Sequence, residues 1–260
     1  MSAHPQGWRR GWLPPAALLL AGVALWEALV QITQTPRWFL PAPSAVAAAL
    51  GENWRLLARH TLVTAEETLL GFALACLLGV AVATAIAFSR LVERTIYPLV
   101  VASQAVPIIA VAPLLLVWFG YDLTPKVIVV VLFCFFPITV NTVDGLRAAD
   151  RAAVDLLRSM GAGPGQVWRL VRLPSALPYL ISGARVAAAV SVVGALVGEW
   201  VGSAAGLGYF MIRSASQFLT DRVFAAVVLS ALLGLVLFGA VSLLERLLLP
   251  WQRLERRERT

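Results

Sequence analysis

Residues 155–174 read Asp155-Leu-Leu-Arg-Ser-Met-Gly161-Ala-Gly-Pro-Gly-Gln-Val-Trp-Arg-Leu-Val171-Arg-Leu173-Pro174, a polar stretch between two apolar runs of membrane length. Its spacing dictates a local structure. Residues Ala152 to Met160 contain neither Gly nor Pro and suit a short helix, and Gly161 supplies the left-handed residue on which helices commonly end. After the Gly163-Pro164-Gly165 break, Gln166 to Arg172 suits a second short helix, because Pro164 fits a turn or a first helical position. Two short helices at an angle are therefore expected to protrude, with Arg158, Gln166, Trp168 and Arg169 on their outer side. An exposed Trp beside Arg is the composition of a protein–protein anchor.

The rest of the chain says what this stretch protrudes from. Hydrophobic residues make up 60% of the 260 positions and charged residues 13%, about half the charged share of an ordinary soluble domain. The expected fold is all-α: a single polytopic transmembrane domain over residues 1–260. At about 20 apolar residues per crossing, six spans are read at about 14–32, 62–88, 96–119, 124–143, 178–201 and 223–244, each bounded by charge, Gly or Pro. The polar loop occupies about 144–177. No small-x-small cleavage site follows the first apolar run before Gln31, so that run reads as an uncleaved span and not as a secretory signal. Pro41 to Leu57, with Val46, Leu50, Trp54 and Leu57 on one helical stripe, is expected to lie on the outer membrane surface. Gly202 to Asp221 reads as a short outer or re-entrant helix. Cys76 and Cys134 fall inside apolar runs and read as small buried side chains.

Charge sets the orientation. With the N-terminus inside, the outer segments hold Arg37, Arg55, Arg59, Lys126, Arg213 and Arg222, and Arg185 lies in the fifth span. Of 21 positive residues this leaves 14 inside. The positive-inside rule then puts both termini and the 155–174 loop in the cytoplasm. The net charge of +7 is spread over loop ends, with no aromatic-interleaved basic surface for nucleic acid.

Chemistry on this chain is thin. A phosphate-cradling loop needs Gly-x4-Gly-Lys-Ser/Thr, and the only lysine, Lys126, stands in Thr-Pro-Lys. His4 and His60 lie outside span interiors, so neither a serine-protease pair nor a zinc site can be assembled within the spans. The chain reads as non-catalytic and without a cofactor of its own. Its third span carries Pro98, Pro107 and Pro113, each of which removes a backbone donor. In a bilayer such breaks are tolerated where the freed groups face protein or a water-filled path. Ser103, Gln104 and Pro107 at the middle break, with Asn141 in the fourth span and Glu199 near the outer end of the fifth, are the candidates for a translocation path. Arg185 is expected to snorkel or to pair across to another helix, and Glu27 is an intramembrane charge of unnamed partner.

The 155–174 stretch resembles the coupling loop of binding-protein-dependent ABC importer permeases, an acid, two small or apolar residues, Gly six positions after the acid, and an aliphatic-x-Leu-Pro ending. Asp155 stands where the family usually has Glu, Leu156 and Leu157 replace two alanines, Val171 replaces Ile, and Gly161, Leu173 and Pro174 match outright. The likeness extends through Phe39-Leu-Pro-Ala-Pro-Ser44, Ala112-Pro-Leu, Trp118-Phe-Gly120, Phe135-Phe-Pro137, Asn141-Thr142 and Gly145, and is similar to the branch serving nitrate, taurine, alkanesulfonates and thiamine-pyrimidine precursors. The resemblance implies a bacterial inner-membrane permease subunit importing a small polar or anionic organic nutrient. It further implies a second permease chain, expected to be identical, an outer substrate-binding protein, and two cytoplasmic ATPases that carry ATP and Mg. Asp155, Gly161, Gln166, Trp168, Arg169, Leu173 and Pro174 would couple to the ATPase. The alternative is a secondary transporter or channel without an ATPase, which would normally show inverted repeats.

Overall fold

The computed structural model describes residues 7–249, with side chains from residue 14. The charged tail with Arg253, Arg256, Arg257 and Arg259, together with His4, lies outside the described residues. Eleven α-helices follow one another in that range: α1 Gly7–Ile32, α2 Pro43–Glu52, α3 Trp54–Phe88, α4 Arg90–Ala102, α5 Ile108–Phe119, α6 Leu123–Arg147, α7 Arg151–Ser159, α8 Pro164–Val167, α9 Leu173–Gly202, α10 Leu207–Ser216 and α11 Thr220–Leu248. Among the described residues five helices are long and apolar enough to cross a membrane, and α4 with α5 makes a sixth if that bent pair counts as one span. The protein is thus an all-helical, multi-pass membrane protein.

The chain forms two compact units. The first comprises residues 1–59 and 210–228. Here Glu27, the charge without a named partner, accepts hydrogen bonds from the Ser44 amide (2.9 Å) and hydroxyl (2.8 Å), at the start of α2. Trp26 packs on Phe224 at 5.6 Å between ring centroids, and the Thr220 hydroxyl donates to the Trp38 carbonyl at 2.6 Å. The amphipathic segment expected on the outer surface is helical only as far as Glu52, and a new helix starts at Trp54.

The second unit, residues 60–209 and 229–260, holds the functional elements. Its core is α6 against α9, a seam of small residues that lets the backbones approach closely, as helix pairs in membranes require. Ala187 and Ala195 of α9 are fully buried against Val130, Cys134 and Ile138 of α6, with Ala75 of α3 completing the cluster. Gly183 sits on the Pro137 carbonyl, where a Cβ would lie 2.6 Å from the oxygen. Arg185 pairs with Glu245 of α11 at 2.9 Å, so it crosses to another helix as expected.

Two expected elements differ in shape. The third span is not one helix: α4 runs through a single 3₁₀ turn, Ser103–Ala105, and α5 leaves at an angle of 101°. Only Pro107 marks that break, as the extended residue preceding α5, while Pro98 and Pro113 are accommodated inside their helices. The second short helix of the 155–174 loop is not separate either. Its α8 passes through a π-helical turn, Trp168–Arg172, straight into α9. The widened turn leads directly into Pro174 near the start of α9, a position where a missing amide is tolerated, and Pro178 lies inside α9.

Candidate functional site

Three places in the second unit bring polar or unpaired groups together. The first is the 155–174 loop. Asp150 caps α7 by accepting from the Ala152 amide at 2.9 Å. At the other end Gly161 is left-handed, with φ +83°. Its amide bonds the Arg158 carbonyl and the Ala162 amide bonds the Leu157 carbonyl, both at 2.9 Å, which is a complete Schellman termination. Gln166 reaches back to accept from the Gly163 amide at 2.9 Å and fixes the turn into α8.

Val154 and Val167 are buried under the loop, so both faces of the turn are anchored. On the outer side Leu156 is 61% and Met160 75% exposed, one helical turn apart on α7. This apolar pair, absent from the expected anchor set, is legible as an i, i+4 pattern in an otherwise charged helix. Arg169 and Gln166 are exposed as expected, and Leu173 and Pro174 form the entry to α9. Trp168 differs: it is half-buried and stacks on Phe88 at 4.5 Å, because the π-helical turn swings it back toward the end of α3. Asp155 faces Arg158 at 3.9 Å with both side chains exposed, a pair of little energetic weight.

The second place is the break between α4 and α5. A cavity of about 430 Å³ opens there, lined by Ser103, Val106, Ile108 and Val111 and, from α6, by Leu132 and Phe135. The Ser103 hydroxyl is tied to the Val100 carbonyl at 2.7 Å, and Gln104 is exposed beside it. No side chain caps the α5 N-terminus behind Pro107. Ser103, Gln104 and Pro107 therefore meet at one break. Asn141 does not join them: its amide donates to the Pro137 carbonyl at 2.7 Å, in the α6–α9 seam.

The third place holds Glu199. This residue is 1% exposed, and its carboxylate accepts from the Thr64 hydroxyl at 2.6 Å and from the Gly208 amide. His60 Nδ1 accepts from the Gly206 amide at 3.0 Å and the Thr64 hydroxyl from the Leu207 amide at 2.8 Å. Three consecutive amides at the start of α10 are thus satisfied by side chains of α3 and α9, and a carboxylate there is favoured by the helix dipole. Gly206, at φ +108°, allows it, because a Cβ would collide with the Glu199 carboxylate. Beside this cluster Lys126 Nζ lies 3.2 Å from Glu67 Oε1, with Lys126 8% and Glu67 1% exposed. Lys126, expected in an outer segment, is buried together with Glu67.

Comparison with known proteins agrees with this architecture. Residues 75–249 match the family described as binding-protein-dependent transport system inner membrane component. The formylaminopyrimidine transport permease ThiX of Halalkalibacterium halodurans is 40% identical over 93% of this chain and 96% of its own length. The riboflavin transport system permease RibX of Chloroflexus aurantiacus is 38% identical over 92% of this chain and 90% of its own. An inward-facing solved structure of the MetNI methionine ABC transporter superposes with a TM-score of 0.66 over 75% of this chain and 97% of that one, at 21% identity, a likeness of fold. With two-thirds of its length inside the family's boundaries and near-full-length relatives named as permeases, the chain belongs to the binding-protein-dependent transport system inner membrane component family and is an ABC importer permease.

Proposed function

We propose that this permease passes a small planar nitrogen heterocycle, of the pyrimidine thiamine-precursor type, from an outer binding protein into the cytoplasm. The observation that carries the reading is the near-full-length likeness, at 40% identity, to a permease named for formylaminopyrimidine transport. The riboflavin permease among the relatives points to the same chemical class, and an aromatic wall, Phe135, beside a hydroxyl, Ser103, suits a flat heterocycle. Alkanesulfonates, taurine and nitrate belong to the competing class of small non-aromatic solutes that carry a sulfonate or nitrate group.

Two copies of the chain, two ATPases carrying ATP and Mg, and a binding protein complete the assembly in this proposal, in a bacterial inner membrane with both termini cytoplasmic. The ATPase contact is made by the tip of α7 and the turn beyond it: Leu156 and Met160 as apolar anchors, Gln166 and Arg169 on the rim, Asp155, Gly161, Leu173 and Pro174 holding the shape, and Trp168 tying it to α3. Ser103, Gln104 and Pro107 form the path, while Asn141 and Glu199 hold its supporting helices. Uptake of labelled aminopyrimidine into proteoliposomes carrying the assembled transporter tests the substrate class. Competition by unlabelled pyrimidine or flavin, with none by taurine or nitrate, is expected; competition by taurine or nitrate alone would overturn it.

A further inference from the structure

A recess separates the α7–α8 loop from the ends of α3 and α4. It has two lobes, of about 550 and 350 Å³, that share Arg90, Glu93, Arg158 and Arg172. Five arginines line the larger lobe, Arg90, Arg147, Arg151, Arg158 and Arg172, against two acids, Glu93 and Asp155. The acids are already engaged. Glu93 pairs with Arg147, which also stacks on Tyr97 at 4.9 Å, and Asp155 faces Arg158. Arg90, Arg151 and Arg172 have no acidic partner among the described residues. Three arginines thus line one cavity with their charge unmatched, a side chain suited to phosphate oxygens.

The walls say what carries the phosphate. Ile86 and Ala87 belong to the last turn of the apolar helix α3, and Leu146 to the last turn of α6. Phe88, 58% exposed, lines the smaller lobe beside Arg90, and Leu91, next to Arg90 in the chain, is 72% exposed. Phe88 stacks on Trp168, which lines the same lobe, and aromatic rings of this kind sit at headgroup level in membrane proteins. A soluble anion has no use for an apolar floor and an aromatic rim; an amphiphile uses both. We propose that this recess binds the phosphate headgroup of an anionic phospholipid, with the acyl chains leaving past Phe88 and Leu91. The lipid would tie the α7–α8 loop to the ends of the spans. The proposal rests on the membrane placement of the family and uses the cytoplasmic orientation only to name the leaflet.

Native mass spectrometry of the detergent-solubilised full chain, incubated with equal amounts of phosphatidylglycerol and phosphatidylcholine, is the test, and it does not depend on orientation. Retention of phosphatidylglycerol over phosphatidylcholine by about 25-fold or more is expected, at roughly a fivefold factor for each of at least two arginines near a headgroup. Arg90→Gln/Arg172→Gln is expected to abolish the preference, Arg90→Lys/Arg172→Lys to keep most of it, and Arg169→Gln, which lies outside the recess, to leave it unchanged. Equal retention of the two lipids by the unmodified chain would overturn the proposal without any variant, so a misfolded variant cannot shelter it. Two further results would also overturn it: a preference that survives in the double Gln variant, or full competition by soluble glycerol phosphate at the lipid's own concentration. The latter would make the recess a free-anion site. Loss of bound phosphatidylglycerol when the partner ATPase is added would assign the arginines to that protein instead.

Discussion

Lys126 and Glu67 meet at 3.2 Å with almost no exposure, while Glu199 is satisfied by the turn that starts α10. Removing one member of a buried pair leaves the other charge without compensation, at a cost of about 3 kcal/mol. Lys126→Met is therefore expected to lower the thermal stability of the solubilised protein markedly, and Lys126→Met/Glu67→Gln to recover most of the loss. A double variant no better than the single one would show that the pair is not coupled. Gly161 is a cleaner case, because a Cβ there meets nothing within 4 Å and the cost of a substitution is conformational. Gly161→Leu is expected to cost about 1 kcal/mol in left-handed strain, leaving insertion intact while hydrolysis and uptake uncouple; normal uptake per ATP would contradict the role given to the turn. Gly161 was legible in sequence because a helix end is a local event. The Glu67–Lys126 pair was not, since residues 59 positions apart carry no common spacing.

At the scale of elements, periodicity found the helices and prolines found the break, but neither gave its angle. Three prolines in the third span read alike, yet only Pro107 stands at the break, while Pro98 and Pro113 lie inside their helices. The loop shows the opposite error: Leu173-Pro174 reads as a boundary, and the π-helical turn carries the helix across it. That continuity turns Trp168 onto Phe88 and leaves Leu156 and Met160 as the exposed apolar pair. The break itself is testable. Ser103→Cys is expected to react with a small water-soluble thiol reagent in at least one nucleotide state, and Gln104→Leu to lower uptake without lowering the yield of assembled complex. An inert Ser103→Cys, with Gln104→Leu reducing assembly and uptake in proportion, would make these residues helix packing.

For the whole molecule, composition points to the multi-pass class and charge asymmetry carries the proposed orientation, and both are independent of any side-chain contact. A cysteine at the exposed Ser159 is expected to label only from the cytoplasmic side, and one at the exposed Ser216 only from outside. Labelling of both from one side would mean a wrong span count. The solute was not legible, because a permease cavity of mostly aliphatic lining constrains size and shape more than chemistry. The energy source is the central part of the proposal: a permease without a phosphate-binding motif of its own is proposed to draw on ATP hydrolysed by another chain. Solute uptake into proteoliposomes, measured with the permease alone and with its ATPase and binding protein added, tests this most directly. The account predicts uptake only when all components and Mg-ATP are present; uptake by the permease alone, driven by an ion gradient, would contradict it.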